Sequence, residues 1–340
     1  MSLQSTLPAS AYVGPAAWER DWSRILQSGP WVVAHLDEVR APGDVVTFSV
    51  GPATLLVVRQ DDGGVRVFHN TCRHRGGPIV WPGDAPRGLG QLQCKYHGWC
   101  YSRDGGLRAT PQFGARPAVD GLIEVTAHVW QGLVFASALP GQGGPEPPVV
   151  AALADHFADL DLAAMQVERR ATHALDCDWK VYVENYLEGY HIPWVHPDLA
   201  KEVALRDYRV AVHHDGLLVS HHVGRRTPDA VNAGRWAWAW PGLAVNVYAD
   251  GVCIERMVPE GPGRTRVDYL YLFAPEVDAP ARHRAMDMSR AVTAEDVRIV
   301  EAVQRNLAAG AVERGVLSPR HETGVAAFQE RCRRAWADPS

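Results

Sequence analysis

The pairs Cys72-x-His74 and Cys94-x-x-His97 bring two thiols and two imidazoles into a chain of 340 residues at spacings that suit a metal centre. Such a donor set can hold a [2Fe-2S] cluster in which two thiolates bind one iron and two neutral imidazoles the other, an arrangement whose reduction potential lies above that of an all-cysteine cluster. The same four residues could bind tetrahedral zinc. The flanking words weigh against zinc. Asn70-Thr71-Cys72-Arg73-His74-Arg75-Gly76-Gly77 and Cys94-Lys95-Tyr96-His97-Gly98-Trp99 are short loops, each followed at once by glycine. Glycine lets the backbone turn tightly and bring its amides toward a charged centre. The expected chemistry is one-electron transfer.

A second constellation lies downstream, where Asp178 to about His191 has apolar residues at helical intervals. On such a helix Glu188 and His191, three apart, share a face. His191 and His196 are five apart, about 140° around an ideal helix, so an unbroken helix would aim them away from each other. Pro193 disfavours an unbroken helix and permits the chain to turn His196 back toward His191. Two histidines and a carboxylate form the facial triad of oxygen-activating iron(II). The carboxylate must come from elsewhere in the chain.

The words "NTCRHRGG" and "CKYHGW" closely resemble the two cluster loops of the Rieske domain in ring-hydroxylating and related non-heme iron oxygenases, and 178–196 resembles the iron-binding helix of their catalytic domains. The resemblance implies that Cys72, His74, Cys94 and His97 hold a Rieske [2Fe-2S] cluster. It also implies that His191 and His196 bind mononuclear Fe(II) with an aspartate on the C-terminal helix. Glu295-Asp296 looks like the family's acidic pair, with Asp296 the implied ligand and Glu295 the runner-up. Where most members carry an aspartate that bridges the two metal sites, this chain has Glu188, as do some members acting on quaternary ammonium compounds. Glu188, with Asn185, is a candidate catalytic residue.

The same resemblance implies O2 as co-substrate, a homotrimer, and a separate flavin-containing reductase, with or without a ferredoxin, that consumes NAD(P)H. Products would arise by hydroxylation or oxidative demethylation of a small molecule; cis-dihydroxylation of an aromatic ring and a pure electron carrier are the alternatives. The tail "GVLSPRHETGVAAF" resembles members related to choline monooxygenase.

The elements that would position these residues divide in two, as the length allows. Short β-prone runs separated by Gly- and Asp-rich turns predict an all-β Rieske domain over 31–140. The Pro- and Gly-rich stretch from Leu139 to Pro148 marks a boundary. Strand-like runs at 208–223, 244–258 and 265–273, with a long helical pattern over 280–309, predict an α+β catalytic domain over 150–325. Residues 1–30 are expected to pack on it. Trp236, Trp238 and Trp240 alternate in strand register and are expected on one face, as core or as a cation-binding wall. Tyr186, Tyr190 and Trp194 flank the histidines, placed to contact substrate or to fix the helix.

A net charge of -5 with interspersed signs gives no nucleic-acid groove or lipid-binding tract. Without a signal-like N-terminus or an apolar run of membrane length, a soluble cytoplasmic protein is expected. Cys100, Cys177, Cys253 and Cys332 are scattered and read as reduced thiols. No Gly-x-Gly-x-x-Gly phosphate loop in its strand-helix context points to a nicotinamide module in the chain itself.

Overall fold

The computed structural model describes residues 4–141, 144–226 and 230–337; Gln142 and Gly143 of the expected linker lie outside them. The chain divides into one unit spanning Gln27–Pro147 and a second made from the segment up to Leu26 together with Pro148 onward.

The first unit is built from small antiparallel sheets. One orders Val45–Val50, Ala53–Arg59, Val65–His69 and Glu124–Val125; another pairs Ala127–Trp130, Leu133–Ala136 and Trp31–His35. A third joins Leu92–Gln93, Cys100–Tyr101 and Leu107–Ala109. The loop carrying Cys72 and His74 follows Val65–His69, and that carrying Cys94 and His97 fills the hairpin between the first two strands of the third sheet. Their core includes Phe68, Ile79, Val80, Leu92, Trp99 and Tyr101, all buried.

The second unit carries a seven-stranded antiparallel sheet. Its strands are β1 (Gln166–Leu175), β2 (Val203–His213), β3 (Leu218–Arg225), β4 (Asn232–Ala239), β5 (Leu243–Tyr248), β6 (Gly251–Gly261) and β7 (Arg264–Phe273), in the spatial order β1-β7-β6-β5-β4-β3-β2. Among its helices, α1 (Trp179–Tyr186), α2 (Ile192–Val195), α3 (Ala279–Ala308) and α4 (Thr323–Ala337) matter for the site. This is the α+β architecture, and it runs past residue 325 because α4 contributes buried Val325, Phe328 and Cys332.

Helix α1 is held at its start. Asp178 caps it by accepting the Lys180 amide at 3.0 Å, and the Asp178 amide donates to Gln304 of α3 at 2.9 Å. The Lys180 ammonium is fully buried between Asp21 and Asp178. Burial pulls its pKa down, but the two carboxylates outweigh that and hold it above the ordinary lysine value. A lysine so enclosed stays only while paired, and breaking such a buried pair costs about 3–5 kcal/mol. Asp21 also accepts from the indoles of Trp179 at 3.1 Å and Trp336 at 2.9 Å, so the N-terminal segment, α1 and α4 meet at one charge cluster.

One expectation is corrected and one open choice is resolved. The helix does not reach His191: it ends at Tyr186, and Glu188 to His191 form a turn. The break falls after Tyr186, with Leu187 as C-cap; in the turn beyond it Gly189 has no room for a Cβ beside the Tyr208 ring, and Pro193 opens the short α2 instead of causing the break. Of the two roles open to the tryptophans, core and cavity wall, both are taken. Strand β4 stops at Ala239 and Trp240 enters a cis-prolyl turn; Trp238 and Trp240 pack around Phe328, with only Trp236 of the three turned to the cavity described below.

Candidate cluster site and active site

In the first unit, both loops are braced by their own backbone. The Cys72 amide donates to Gly77 at 2.8 Å, the Cys94 amide to Trp99 at 2.8 Å, and the Lys95 amide ties one loop to the other through Pro78 at 2.9 Å. Asn70 accepts the amides of Ile79 and Val80 and donates to the Val80 carbonyl, closing the first loop from within. Gly77 has no room for a side chain, since a Cβ would stand 3.1 Å from Cys94 Sγ and 2.8 Å from Tyr96 Cβ.

The four candidate ligands gather at the loop tips. Cys72 and Cys94 are buried, His74 is half-buried and His97 is exposed, with the two imidazole centroids 4.6 Å apart. His74 stacks on Trp99 at 5.1 Å, yet its Nδ1 is buried without a partner. An orphaned imidazole nitrogen beside two buried thiols fits a two-thiolate, two-imidazole cluster.

Burial pushes the Cys72 thiol above its ordinary pKa, while the Tyr101 hydroxyl and the His74 amide pull it back. The Tyr101 oxygen accepts the Arg73 amide at 3.1 Å, which turns its own proton toward Cys72 Sγ, also at 3.1 Å. Such a donor favours the more negative, reduced cluster. Tyr101→Phe should therefore lower the reduction potential by about 20–60 mV, the equivalent of a net hydrogen bond of about 0.5–1.5 kcal/mol in a one-electron couple. Protein-film voltammetry reads this directly, and an unchanged potential would remove Tyr101 from the sulfur's environment.

In the second unit, His191, His196 and Asp296 converge. The two Nε2 atoms lie 3.1 Å apart, and Asp296 Oδ1 is 3.0 Å from His196 Nε2 and 3.8 Å from His191 Nε2. All three separations are shorter than about 4.2 Å, twice a typical bond from a first-row metal to nitrogen or oxygen. Each imidazole has a carboxylate at its other nitrogen: Glu188 at His191 Nδ1 and Glu295, at 2.7 Å, at His196 Nδ1. With Nδ1–H donated outward, both Nε2 lone pairs face each other and the Asp296 oxygen. Three converging acceptors repel one another unless a cation lies among them, so the residues fit a divalent metal. Burial lowers the pKa of His196, but Asp296 and Glu295 together raise it above the ordinary histidine value. A metal must displace that proton on binding.

The remaining candidates fall around this triad. Asn185, on α1, donates to Asp296 Oδ1 at 2.7 Å and orients the carboxylate. Glu295 stands on the far side of His196, away from the Nε2 atoms. Glu188 also accepts the amides of Tyr190 and His191, so it staples the turn that carries His191. Tyr186 lines the adjoining cavity and donates to Asn246 at 2.8 Å, whereas Tyr190 and Trp194 point outward, 55% and 83% exposed.

The cavity beside the triad holds about 760 Å³ of empty space, its mouth included, a size suited to a small organic molecule. Its floor is one face of the sheet, where His221, Trp236 and Asn246 are cross-strand neighbours and Glu255 pairs with Tyr269. Tyr182, Tyr186 and Tyr208 add further aromatic wall. Glu255 was not anticipated from the sequence, although a carboxylate inside the apolar run of β6 is a signal that could have exposed it. Its Oε1 accepts from Tyr182 at 2.8 Å and Tyr269 at 3.2 Å, and its Oε2 from Asn246 at 3.1 Å. Burial pushes its pKa up to about 7 against those donors, with the Asp296 charge adding to the rise.

Comparison with known proteins follows the same division. Residues 29–126 match the family described as "Rieske [2Fe-2S] domain", and 162–239 with 220–338 match "Ring hydroxylating alpha subunit (catalytic domain)". The chain is 29% identical to putrescine 2-hydroxylase of Ralstonia nicotianae, over 97% of this chain and 95% of that one. It is 28% identical to chloroplastic choline monooxygenase of Spinacia oleracea, over 95% of this chain and 76% of the relative. Among solved structures, a quaternary ammonium Rieske monooxygenase shares the fold with a TM-score of 0.87 at 22% identity, covering 98% of this chain and 96% of that chain. No helix among the described residues is long and apolar enough to cross a membrane.

Proposed function

Because the chain belongs to the ring-hydroxylating Rieske oxygenases, with cluster domain and catalytic domain in one polypeptide, we propose that Cys72, His74, Cys94 and His97 hold its [2Fe-2S] cluster and that His191, His196 and Asp296 hold its mononuclear iron(II). It is an O2-dependent oxygenase of a small organic substrate, supplied with electrons by a separate reductase. The cluster, when bound, supplies single electrons, and the iron supplies activation of O2 for oxygen insertion. The observation that carries the ligand assignment is the convergence of three lone pairs whose donors are each fixed from behind.

The protein's own residues have three tasks. Glu188 holds the His191 imidazole in one tautomer and Asn185 holds the Asp296 carboxylate, so these ligands are organised before metal arrives. The aromatic cavity seats substrate beside the triad and limits water. Glu255 gives that cavity a negative charge among rings that favour cations. The substrate class this supports is a small organic ammonium compound, hydroxylated or oxidatively demethylated.

We take the working form to be a cytoplasmic homotrimer in which the cluster of one subunit serves the iron of the next. Exposed aromatic residues support it: Trp81, Tyr96 and Phe113 in the cluster unit, and Tyr190 and Trp194 beside the iron ligands, are large apolar side chains that a partner would cover. Apart from the two cluster ligands, Cys100, Cys177, Cys253 and Cys332 are buried thiols, as a reducing compartment would leave them.

The direct test is turnover under 18O2 with a flavin reductase, NADH and choline, carnitine or putrescine. One labelled oxygen is expected in a hydroxylated product or, where the C–N bond breaks, in the released aldehyde, with the second oxygen reduced to water. A doubly labelled cis-diol from an aromatic substrate would replace monooxygenation with dihydroxylation, and cluster reoxidation without any oxygenated product would favour an electron carrier.

Glu255 yields a prediction with a definite sign. In the iron-free protein its carboxyl carries a proton below about pH 7, and a cationic ligand must expel that proton to pair with the carboxylate. Affinity for γ-butyrobetaine should therefore rise about tenfold between about pH 6 and pH 8, as the ionised fraction grows, and then level off. Glu255→Gln should lose about tenfold in affinity at pH 8 and show no such pH dependence. Calorimetric titration measures both; a flat wild-type profile would remove Glu255 from cation binding.

A further inference from the structure

Glu295 is half-exposed on α3, its side chain 37% accessible, while the imidazole it meets is 2% accessible. A surface glutamate on a helix ordinarily finds a basic partner a turn away. Arg298, three residues on, makes no ion pair with it among the described residues, and Glu295 reaches inward to His196 Nδ1 at 2.7 Å. Its neighbour Asp296 points to the opposite nitrogen of the same imidazole, 3.0 Å from Nε2. One short stretch of helix therefore grips His196 at both ring nitrogens. The two contacts differ in kind: Asp296 shares the converging centre with both histidines, whereas Glu295 touches one ring only and faces solvent behind it.

We propose that Glu295 is a positioning residue for the mononuclear metal: by accepting the Nδ1 proton it fixes His196 in the tautomer that presents the Nε2 lone pair, sets the ring's direction and raises its donor strength. The inference rests on the assignment of His191, His196 and Asp296 as the metal ligands. His196 depends on Glu295 for this, because among the described residues the ring's other polar contacts, His191 Nε2 and Asp296 Oδ1, lie at Nε2. His191 has the equivalent service from Glu188, a residue whose own backbone contacts make it part of the turn as well. Among the described residues Glu295 has no such backbone contact, and its side chain bonds to His196. Loss of its carboxylate should leave the helix standing and the metal site loose.

The test is anaerobic titration of the holo-cluster protein, depleted of mononuclear iron, with ferrous ion, followed by the EPR spectrum of its nitric oxide adduct. Glu295→Ala should weaken ferrous binding by about 10–100-fold, the usual effect of removing an outer-sphere carboxylate from a ligand histidine. Its nitrosyl spectrum should broaden as the ring loses its fixed direction, with the cluster absorption unchanged. Glu295→Gln, whose amide oxygen can still accept the Nδ1 proton, should recover most of the affinity. Ferrous affinity and nitrosyl spectrum both unchanged in Glu295→Ala would overturn the proposal. So would the reverse hierarchy, in which Glu295→Ala abolishes binding and Asp296→Ala retains it, because Glu295 would then be the ligand itself. If the unmodified protein binds no ferrous ion outside its cluster, the ligand assignment fails and this inference fails with it.

Discussion

His191→Ala abolishes product formation while leaving the visible spectrum of the cluster intact. The substitution removes one of the three converging donors and strands Glu188, whose carboxylate now faces the ring's Nδ1. Three consequences should appear together: ferrous ion no longer binds at the site, oxygenated product falls to background, and Glu188 is left without its histidine partner. The cluster should be untouched, because its four candidate ligands lie in the unit spanning Gln27–Pro147 and His191 lies in the other. Small-to-empty change at a half-buried turn costs little fold, since Glu188 still accepts two backbone amides there. Iron analysis, cluster absorption and product assay on one preparation decide the matter. Undiminished product formation in a fully characterised variant would sink His191 as a ligand.

Cys94→Ser produces the opposite pattern. A hydroxyl in place of a thiolate removes a ligand of the required softness, so the cluster should fail to assemble and its absorption and EPR signal should disappear. The change also places a hydroxyl in a core beside Trp99, Leu92 and Tyr101, where a polar group without a partner costs about 1–3 kcal/mol. The melting temperature of the cluster unit should therefore drop even when cluster loss is allowed for. The mononuclear site should still take up ferrous ion, yet reductase-driven turnover should vanish. A normal cluster signal in this variant would exclude Cys94 from ligation.

The sequence made some of this plain and concealed the rest for physical reasons. The cluster residues were legible because their chemistry is local: each pair lies within one loop, and the adjacent glycines show how tightly that loop must turn. The α+β character and the long C-terminal helix were legible from periodicity, with the expected 280–309 matching Ala279–Ala308 within a residue. Strand β1 escaped notice because it is polar, reading Gln-Val-Glu-Arg-Arg-Ala-Thr-His-Ala-Leu; the structure puts it at the sheet edge, where one side of the ladder needs no apolar cover.

The contribution of tertiary contacts could not be read from local words. Helix α1 ends at Tyr186, and in the turn that follows Gly189 lies so close to the Tyr208 ring that only glycine fits, a constraint set by a different element. The choice between Glu295 and Asp296 is one of direction: neighbouring helical residues point about 100° apart, and only the helix's packing tells which of them meets the Nε2 atoms. The tryptophan alternation left core and cavity both open, and only the packing of Phe328 against Trp238 and Trp240 decides between them. Glu255, by contrast, stood beside Arg256 in an otherwise apolar strand run, and a carboxylate at such a position asks for an explanation.

The account's central claim is that one chain carries two distinct iron centres, and EPR of the anaerobic, dithionite-reduced protein before and after nitric oxide tests it most directly. The predicted result is a Rieske signal in the reduced sample, joined after nitric oxide by a high-spin iron-nitrosyl signal that His191→Ala removes. A Rieske signal alone from a fully metal-loaded sample would contradict the second centre and leave the chain an electron carrier.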